Sequence, residues 1–288
     1  MHRTSLTRPV VCIVALATTL VTADAARGAP PDDPNRVEQI AGLDVAVWEP
    51  TGGPRPYPLV LFSHGFGGCK NQSSHLARAL AQRGMLVAAP DHKDNRCGAD
   101  RPPESLPPEL LDPNNWSATF HDDRRDDLGK LRAALQADEK FSPQIDTKRV
   151  ALVGHSLGGY TVLGLAGAWP SWKMDEVAAV VALAPFAYPF LNGGTLEKVS
   201  APVLFETGTA DLAITEALEH QGIFAKTAAP ACKVVYHGAD HFAWTNLRTD
   251  FQDATAAAAA AFLDEVFAKR RPTDDILASP QTARAECK

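Results

Sequence analysis

The chain has 288 residues, of which 45% are hydrophobic and 22% charged, and its formal net charge is -6 at pH 7. That is enough chain for a sizeable core, in one large α/β domain or two small ones, with the composition of an ordinary globular protein. The mild acidity and the lack of a basic stripe argue against nucleic acid as a partner.

The first 25 residues read as an export signal. "MHRTSLTR" carries Arg3 and Arg8, and "ADA" at Ala23 to Ala25 is a small-x-small cleavage site. Between them, "PVVCIVALATTLV" is an apolar run of about 13 residues, short of the roughly 20 that a spanning helix needs. Cleavage after Ala25 predicts an exported protein, periplasmic or secreted, with no membrane anchor after processing. Residues 26–36, "ARGAPPDDPNR", are a polar, proline-rich linker, and residues 37–288 form one domain.

"VEQIAGLDVAVWEP" alternates as a half-exposed strand would, and "GGPRPYP" breaks the chain. "LVLFSHG" is a strand buried on both faces, "SSHLARALAQRG" a helix with a serine cap and a glycine stop, and "MLVAAPDHK" the next buried strand. Residues 93–118 are rich in Pro, Asp and Asn and read as a long loop. "FHDDRRDDLGKLRAALQADEKF" is a helix whose acidic first turn suits the dipole. Its "HDDRRDD" is read as a solvated helix start, and no metal is assigned. "RVALVGH" is a strand and "LGGYTVLGLAGAW" a helix; "VAAVVALAP", "PVLFETGTAD" and finally "KVVYHGADH" are strands. "TEALEHQGIFAKT" and the alanine-rich "ATAAAAAAFLDEVFAK" are helices. Strands alternating with helices predict a mainly parallel sheet covered on both faces. The connection from Phe186 to Ser200 is too short for a large cap, so the site should be open.

Removal of Cys12 with the signal leaves Cys69, Cys97, Cys232 and Cys287, which allow three pairings in an oxidising compartment. Cys69 and Cys97 each follow a strand by a few residues, at the same end of the sheet. That favours Cys69–Cys97, with Cys232–Cys287 tying down the C-terminal tail; free buried thiols are the alternative.

"GHSLG" matches G-x-S-x-G between a buried strand and a helix, the context that makes Ser156 a candidate nucleophile rather than an incidental turn serine. Side chains two residues either way would crowd so tight a turn, which accounts for Gly154 and Gly158. A serine hydroxyl needs a base that a carboxylate orients. Asp211 in "GTAD" and His241 in "GADH" both follow strands, in the chain order Ser, Asp, His. Glu206 lies within a strand, Asp240 should face away from its neighbour, and His237 is read as structural. His155 sits beside the serine as a pocket-shaping side chain. "SHGFGG", Ser63 to Gly68, would turn backbone amides toward a substrate, so the amides of Phe66 and Leu157 are the expected oxyanion donors. His64 should stabilise that turn. A phosphate nest is disfavoured because no G-K-[ST] follows.

"LVLFSHGFGG", "GHSLGG", "TGTAD" and "GADHF" together resemble the α/β-hydrolase superfamily. Within it the chain resembles dienelactone-hydrolase-like and platelet-activating-factor acetylhydrolase-like esterases, and it is similar to cutinase- and PET-hydrolase-type polyester hydrolases. The last likeness rests on "GFGGCKNQSS" and "APF", and implies that Phe66 and Phe186 wall the acyl site. The chain departs from dienelactone hydrolases proper in having a serine nucleophile, and from polyester hydrolases at His155 and in the loop Lys93–Ser117. The resemblance implies an α/β-hydrolase fold and a serine carboxylesterase on small to medium esters, working without a cofactor; separately, a monomer is expected. A polyester hydrolase and a peptidase or amidase are the alternatives, and a silent binding module would have been expected to lack a triad member. A histidine base predicts a rate that rises with pH through about 7.

Overall fold

The computed structural model describes residues 32–97, 112, 115–228 and 230–288. The residues read as an export signal, cleavage site and linker up to Pro31, with Cys12, and most of the loop 93–118 lie outside the described residues. The strands are β1 (Arg36–Ile40), β2 (Leu43–Trp48), β3 (Tyr57–Ser63), β4 (Leu86–Pro90), β5 (Ile145–His155), β6 (Val177–Leu183), β7 (Val203–Gly208), β8 (Ala231–Tyr236) and β9 (Thr282–Cys287). They make one sheet in the order β1-β2-β4-β3-β5-β6-β7-β8-β9. Pairing is parallel from β4 through β3, β5, β6 and β7 to β8, and antiparallel at both ends.

The central strands are near-continuous apolar runs because both of their faces are covered. In β3, Leu59 and Leu61 face one core and Val60 and Phe62 the other. The first core is closed by Leu128, Leu131 and Leu135 of α2 (Asp122–Ala137) and by the buried side chains of α3 (Leu157–Leu163). The second is closed by α1 (Ser74–Gln82) and α7 (Gln252–Phe267). Between β6 and β7 the chain makes the short α4 (Tyr188–Gly193) and a single 3-10 turn, Leu196–Lys198.

The structure differs from the sequence reading in several places, among them the expected helix 157–169, which ends at Leu163 and continues as a kinked π segment with Gly167 at φ 121°. The first strand is a hairpin, because Ala41 and Gly42, at φ 54° and 80°, take the left-handed turn that joins β1 to β2. Ser73 does not cap α1; its hydroxyl donates to the Trp244 carbonyl at 2.6 Å. The helix after β7 is broken into α5 (Leu212–Glu219) and α6 (Ile223–Lys226) at Gly222, which has φ 101°. The sheet also does not end at β8: after α8 (Asp274–Leu277), the C-terminal tail adds β9. Cys232 of β8 is bonded to Cys287 of β9, and Cys69 to Cys97.

Candidate active site

β5 ends at His155 and α3 begins at Leu157, so Ser156 must reverse the chain alone. It does so at φ 55°, ψ -112°, a region that costs a non-glycine residue on the order of 1–3 kcal/mol. The surroundings hold it there. Its N–H donates to Leu183 O at 2.9 Å, and its carbonyl accepts from Tyr160 and Phe186, each at 3.1 Å. A Cβ on Gly154 would collide with the Gly158 carbonyl, and one on Gly158 with the Ser63 carbonyl. Both glycines are therefore required by close backbone approach.

The Ser156 hydroxyl lies 2.9 Å from His241 Nε2, and His241 Nδ1 lies 2.7 Å from Asp211 Oδ2. Three strand ends supply these residues: Ser156 directly after β5, Asp211 three residues after β7, His241 five after β8. Asp211 precedes α5 without capping it, which leaves its carboxylate to the imidazole. The rivals lie elsewhere. Glu206 is fully buried, Trp244 Nε1 donates to its Oε2 at 3.0 Å, and burial pushes its carboxyl up to about 8. Asp240 accepts from the Phe242 amide and pairs with Arg248. His237 is exposed.

The loop after β3 presents the amide of Phe66, and α3 that of Leu157 as its first N–H, which has no intrahelical acceptor. Among the described residues neither amide is engaged by a protein acceptor. Gln72 fastens the loop, with Oε1 accepting from Gly65 N at 2.9 Å and Nε2 donating to His155 Nδ1 at 3.1 Å. His155 Nε2–H in turn donates to His241 O at 2.8 Å. Burial first, then the neighbouring His241, holds the His155 imidazole down to about 3, so it is a neutral bracket between the two halves of the site. "QSS" completes the brace. Besides the Ser73–Trp244 bond, Asn246 N–H donates to Gln72 O at 2.8 Å and Ser74 N–H to Asn246 Oδ1 at 3.0 Å.

A cavity of about 720 Å³ opens beside Ser156, between Phe66, Cys69, Cys97 and His155 on one side and His241, Phe242 and Leu247 on the other. Its walls are mainly apolar, and Phe242 and Leu247 are 52% and 77% exposed at its mouth. Phe186 does not line this cavity. It donates its amide to the Ser156 carbonyl and packs on Trp116 and Tyr188, with ring centroids 5.0 and 5.4 Å away.

Sequence reasoning missed what lies behind the Phe66 loop. Ser63 Oγ is 2.9 Å from His92 Nε2, and His92 Nδ1 is 2.9 Å from Asp127 Oδ2, a second Ser–His–Asp chain. Ser63 and His92 are buried. Arg124, from the segment read as a solvated helix start, is 0% exposed and forms an ion pair with Asp94. Its first-turn neighbour Arg125 does face outward, to Asp122 and Asp126. The available signal was the cation itself, since the first turn of a helix disfavours positive charge and Arg124 needs another reason to be there. Burial first, and then the Arg124 charge, holds His64 and His92 well below the ordinary histidine value. His64 is neutral, with Nδ1–H donating to Gly65 O at 2.7 Å and Nε2 accepting from His92 N–H at 3.0 Å, a turn-stabilising part as expected.

The sheet order and crossovers are those of the α/β-hydrolase fold. A profile of the family described as platelet-activating factor acetylhydrolase, isoform II, matches residues 43–101, which include the Phe66 loop but none of Ser156, Asp211 and His241. The platelet-activating factor acetylhydrolase of Cavia porcellus is 24% identical over 177 residues, 52% of this chain and 39% of that protein. YitV of Bacillus subtilis (strain 168), named for an inferred esterase activity, is 30% identical over 117 residues, 40% of this chain and 41% of that protein. The acetylhydrolase of Canis lupus familiaris is 28% identical over 139 residues, 37% of this chain and 31% of its own length. The matched segments thus span about two-fifths or less of these relatives. Fold and similarities together support an α/β-hydrolase family of serine esterases.

Proposed function

We propose that the protein is an exported serine carboxylesterase acting on small to medium esters with an apolar group. The observation that carries this reading is a serine at φ 55° whose hydroxyl sits 2.9 Å from an imidazole that is itself 2.7 Å from a carboxylate, on the wall of an apolar cavity. Ser156 Oγ attacks the ester carbonyl while His241 Nε2 takes its proton. Asp211 holds the Nδ1–H tautomer and stabilises the imidazolium. The amides of Phe66 and Leu157 donate to the oxyanion, each worth about 3 kcal/mol in comparable sites. His241 then protonates the departing alcohol, and water, deprotonated by the same imidazole, releases the acid from the acyl-serine. The apolar acyl or alcohol group lies between Phe66 and Phe242. The two disulfides fit an oxidising compartment.

The test is hydrolysis of p-nitrophenyl esters from acetate to palmitate by the protein lacking residues 1–25, with Ser156→Ala as control. Activity that disappears in the variant is expected, and the chain-length optimum reports the depth of the cavity. Equal rates in both proteins overturn the assignment. The exposed Phe242 and Leu247 favour, as a second reading, a polyester chain laid across the mouth. Release of soluble acid from an amorphous aromatic polyester film would support that reading, and an inert film would remove it.

A further inference from the structure

The amide of Phe66 is useful to an oxyanion only if it points into the cavity, and the residue itself does not set that direction. A peptide unit is planar and trans, so the N–H of Phe66 points opposite to the carbonyl of Gly65. Whatever fixes that carbonyl aims the N–H. Gly65 O accepts three hydrogen bonds: from His64 Nδ1 at 2.7 Å, from Gly68 N at 3.0 Å and from Arg124 Nη2 at 3.3 Å. The next peptide unit is fixed as well, because Gly67 N–H donates to Asp94 Oδ2 at 3.1 Å. Arg124 and Asp94 are partners, with Nη2 2.9 and 2.8 Å from Oδ1 and Oδ2 and Nε 3.2 Å from Oδ1. Arg124 Nη1 also holds the His64 carbonyl at 2.7 Å.

We propose that the buried Arg124–Asp94 pair is the positioning element of the oxyanion hole: each member fixes one of the two peptide planes flanking Phe66, and together they aim its N–H at the reacting carbonyl. This rests on the reading of Phe66 N–H as an oxyanion donor. Arg124 touches no substrate and acts through the loop. A guanidinium suits the place because its planar fork serves several acceptors in fixed directions, here the Asp94 carboxylate, two carbonyls and the Ser63 hydroxyl at 3.2 Å. An ammonium has three donors and no plane. Burial alone would raise the Asp94 carboxyl, but the Arg124 charge and hydrogen bonds outweigh it and hold it down at about 2, so the pair stays charged across the working range.

The experiment compares the protein with Arg124→Gln, Arg124→Lys and Asp94→Asn, each assayed well below its own melting temperature. Three readouts are taken: kcat and KM on a p-nitrophenyl ester, affinity for a trifluoromethyl ketone, and thermal stability. The ketone forms a tetrahedral alkoxide on Ser156 and so reads the oxyanion hole directly. Arg124→Gln is expected to lower kcat about 100-fold, the scale of losing one oxyanion donor, with KM within threefold and ketone affinity falling in parallel with kcat. Arg124→Lys should recover part of both. Asp94→Asn keeps shape and removes charge, and should show the same parallel loss at about tenfold; it carries the test if Arg124→Gln does not fold. A variant that melts earlier yet keeps kcat and ketone affinity within threefold reduces the pair to a stabilising role and overturns the proposal. Ser156→Ala separates the two levels: hydrolysis surviving there sinks the underlying reading, whatever the Arg124 variants do.

Discussion

Two Ser–His–Asp chains begin at the carboxyl ends of strands in the same sheet, the second completed by Asp127 of α2. In Ser156–His241–Asp211 the two contacts are 2.9 and 2.7 Å; in Ser63–His92–Asp127 both are 2.9 Å. Hydrogen-bond geometry does not tell them apart. Their settings do. Ser156 stands on a strained elbow, lines a cavity, and has near it two amides that no acceptor among the described residues engages. Ser63 is the last residue of a regular strand, is fully buried, and already accepts from Arg124 Nη1 at 3.2 Å. With Arg124 donating to Ser63, the hydroxyl proton is directed to His92, whose Nδ1–H is directed to Asp127, and no reacting carbonyl can enter. On the proposed function, the same relay serves nucleophilic chemistry in one place and satisfies buried polar groups in the other, and access to a cavity with such amides makes the difference.

The sharpest way to break that contrast is at the serines. Ser156→Ala should lower kcat on a p-nitrophenyl ester by about 10⁴-fold or more. Ser63→Ala, in the same assay, should stay within about threefold. A large loss of kcat in a folded Ser63→Ala protein would mean that the buried chain participates in turnover. The carboxylates repeat the comparison. Asp211→Asn should cost about 10³- to 10⁴-fold in kcat through the wrong imidazole tautomer, whereas Asp127→Asn should change the melting temperature and leave kcat near that of the parent.

Stability gives the smaller effects. Breaking Cys69–Cys97 with paired serines opens a loop of 28 residues that starts just past the Phe66 loop, and should cost about 3.6 kcal/mol in urea unfolding. Ser63→Ala leaves His92 and Arg124 each short of a partner and should cost about 1–3 kcal/mol by the same measurement.

His92 also has a pH signature. Its folded pKa is depressed by burial and by Arg124, so below about 6.5 the unfolded chain binds a proton that the folded one refuses. Stability from this group is present above that value and is lost as pH falls. His92→Gln should therefore flatten the stability curve by up to about 1.4 kcal/mol per pH unit between pH 5 and 6. Parallel curves for variant and parent would show that His92 is not neutral in the fold.

How legible each chain was in the sequence follows from how local its signals are. Ser156, Asp211 and His241 each sit a few residues past an apolar run, and in a parallel sheet every such position lies on one rim. Motif spacing and strand order therefore sufficed to bring them together on paper. Ser63 and His92 also sit at strand ends, but Asp127 comes from inside α2, and "LFSHG", "PDHK" and "RRDD" carry no elbow and no recognisable order. The pairing of Cys69 with Cys97 was legible for the rim reason; β9 was not, since "TARAEC" is polar and becomes a strand only because β8 offers it an edge.

Composition and the alternation of apolar runs with helical spacing by themselves determined the layered parallel sheet, the elbow at Ser156 and the set of residues on its rim. These depend on periodicity and on steric rules that act within a few residues. Tertiary packing alone decided that Arg124 turns inward while Arg125 turns out, that His155 brackets Gln72 to the His241 carbonyl, and that one relay faces a cavity while its twin is sealed. A charged or polar side chain can satisfy itself in water or with a buried partner. Which it does depends on acceptors contributed by distant segments, here the carbonyls of His64 and Gly65 and the carboxylate of Asp94, and nothing near Arg124 in the chain specifies them.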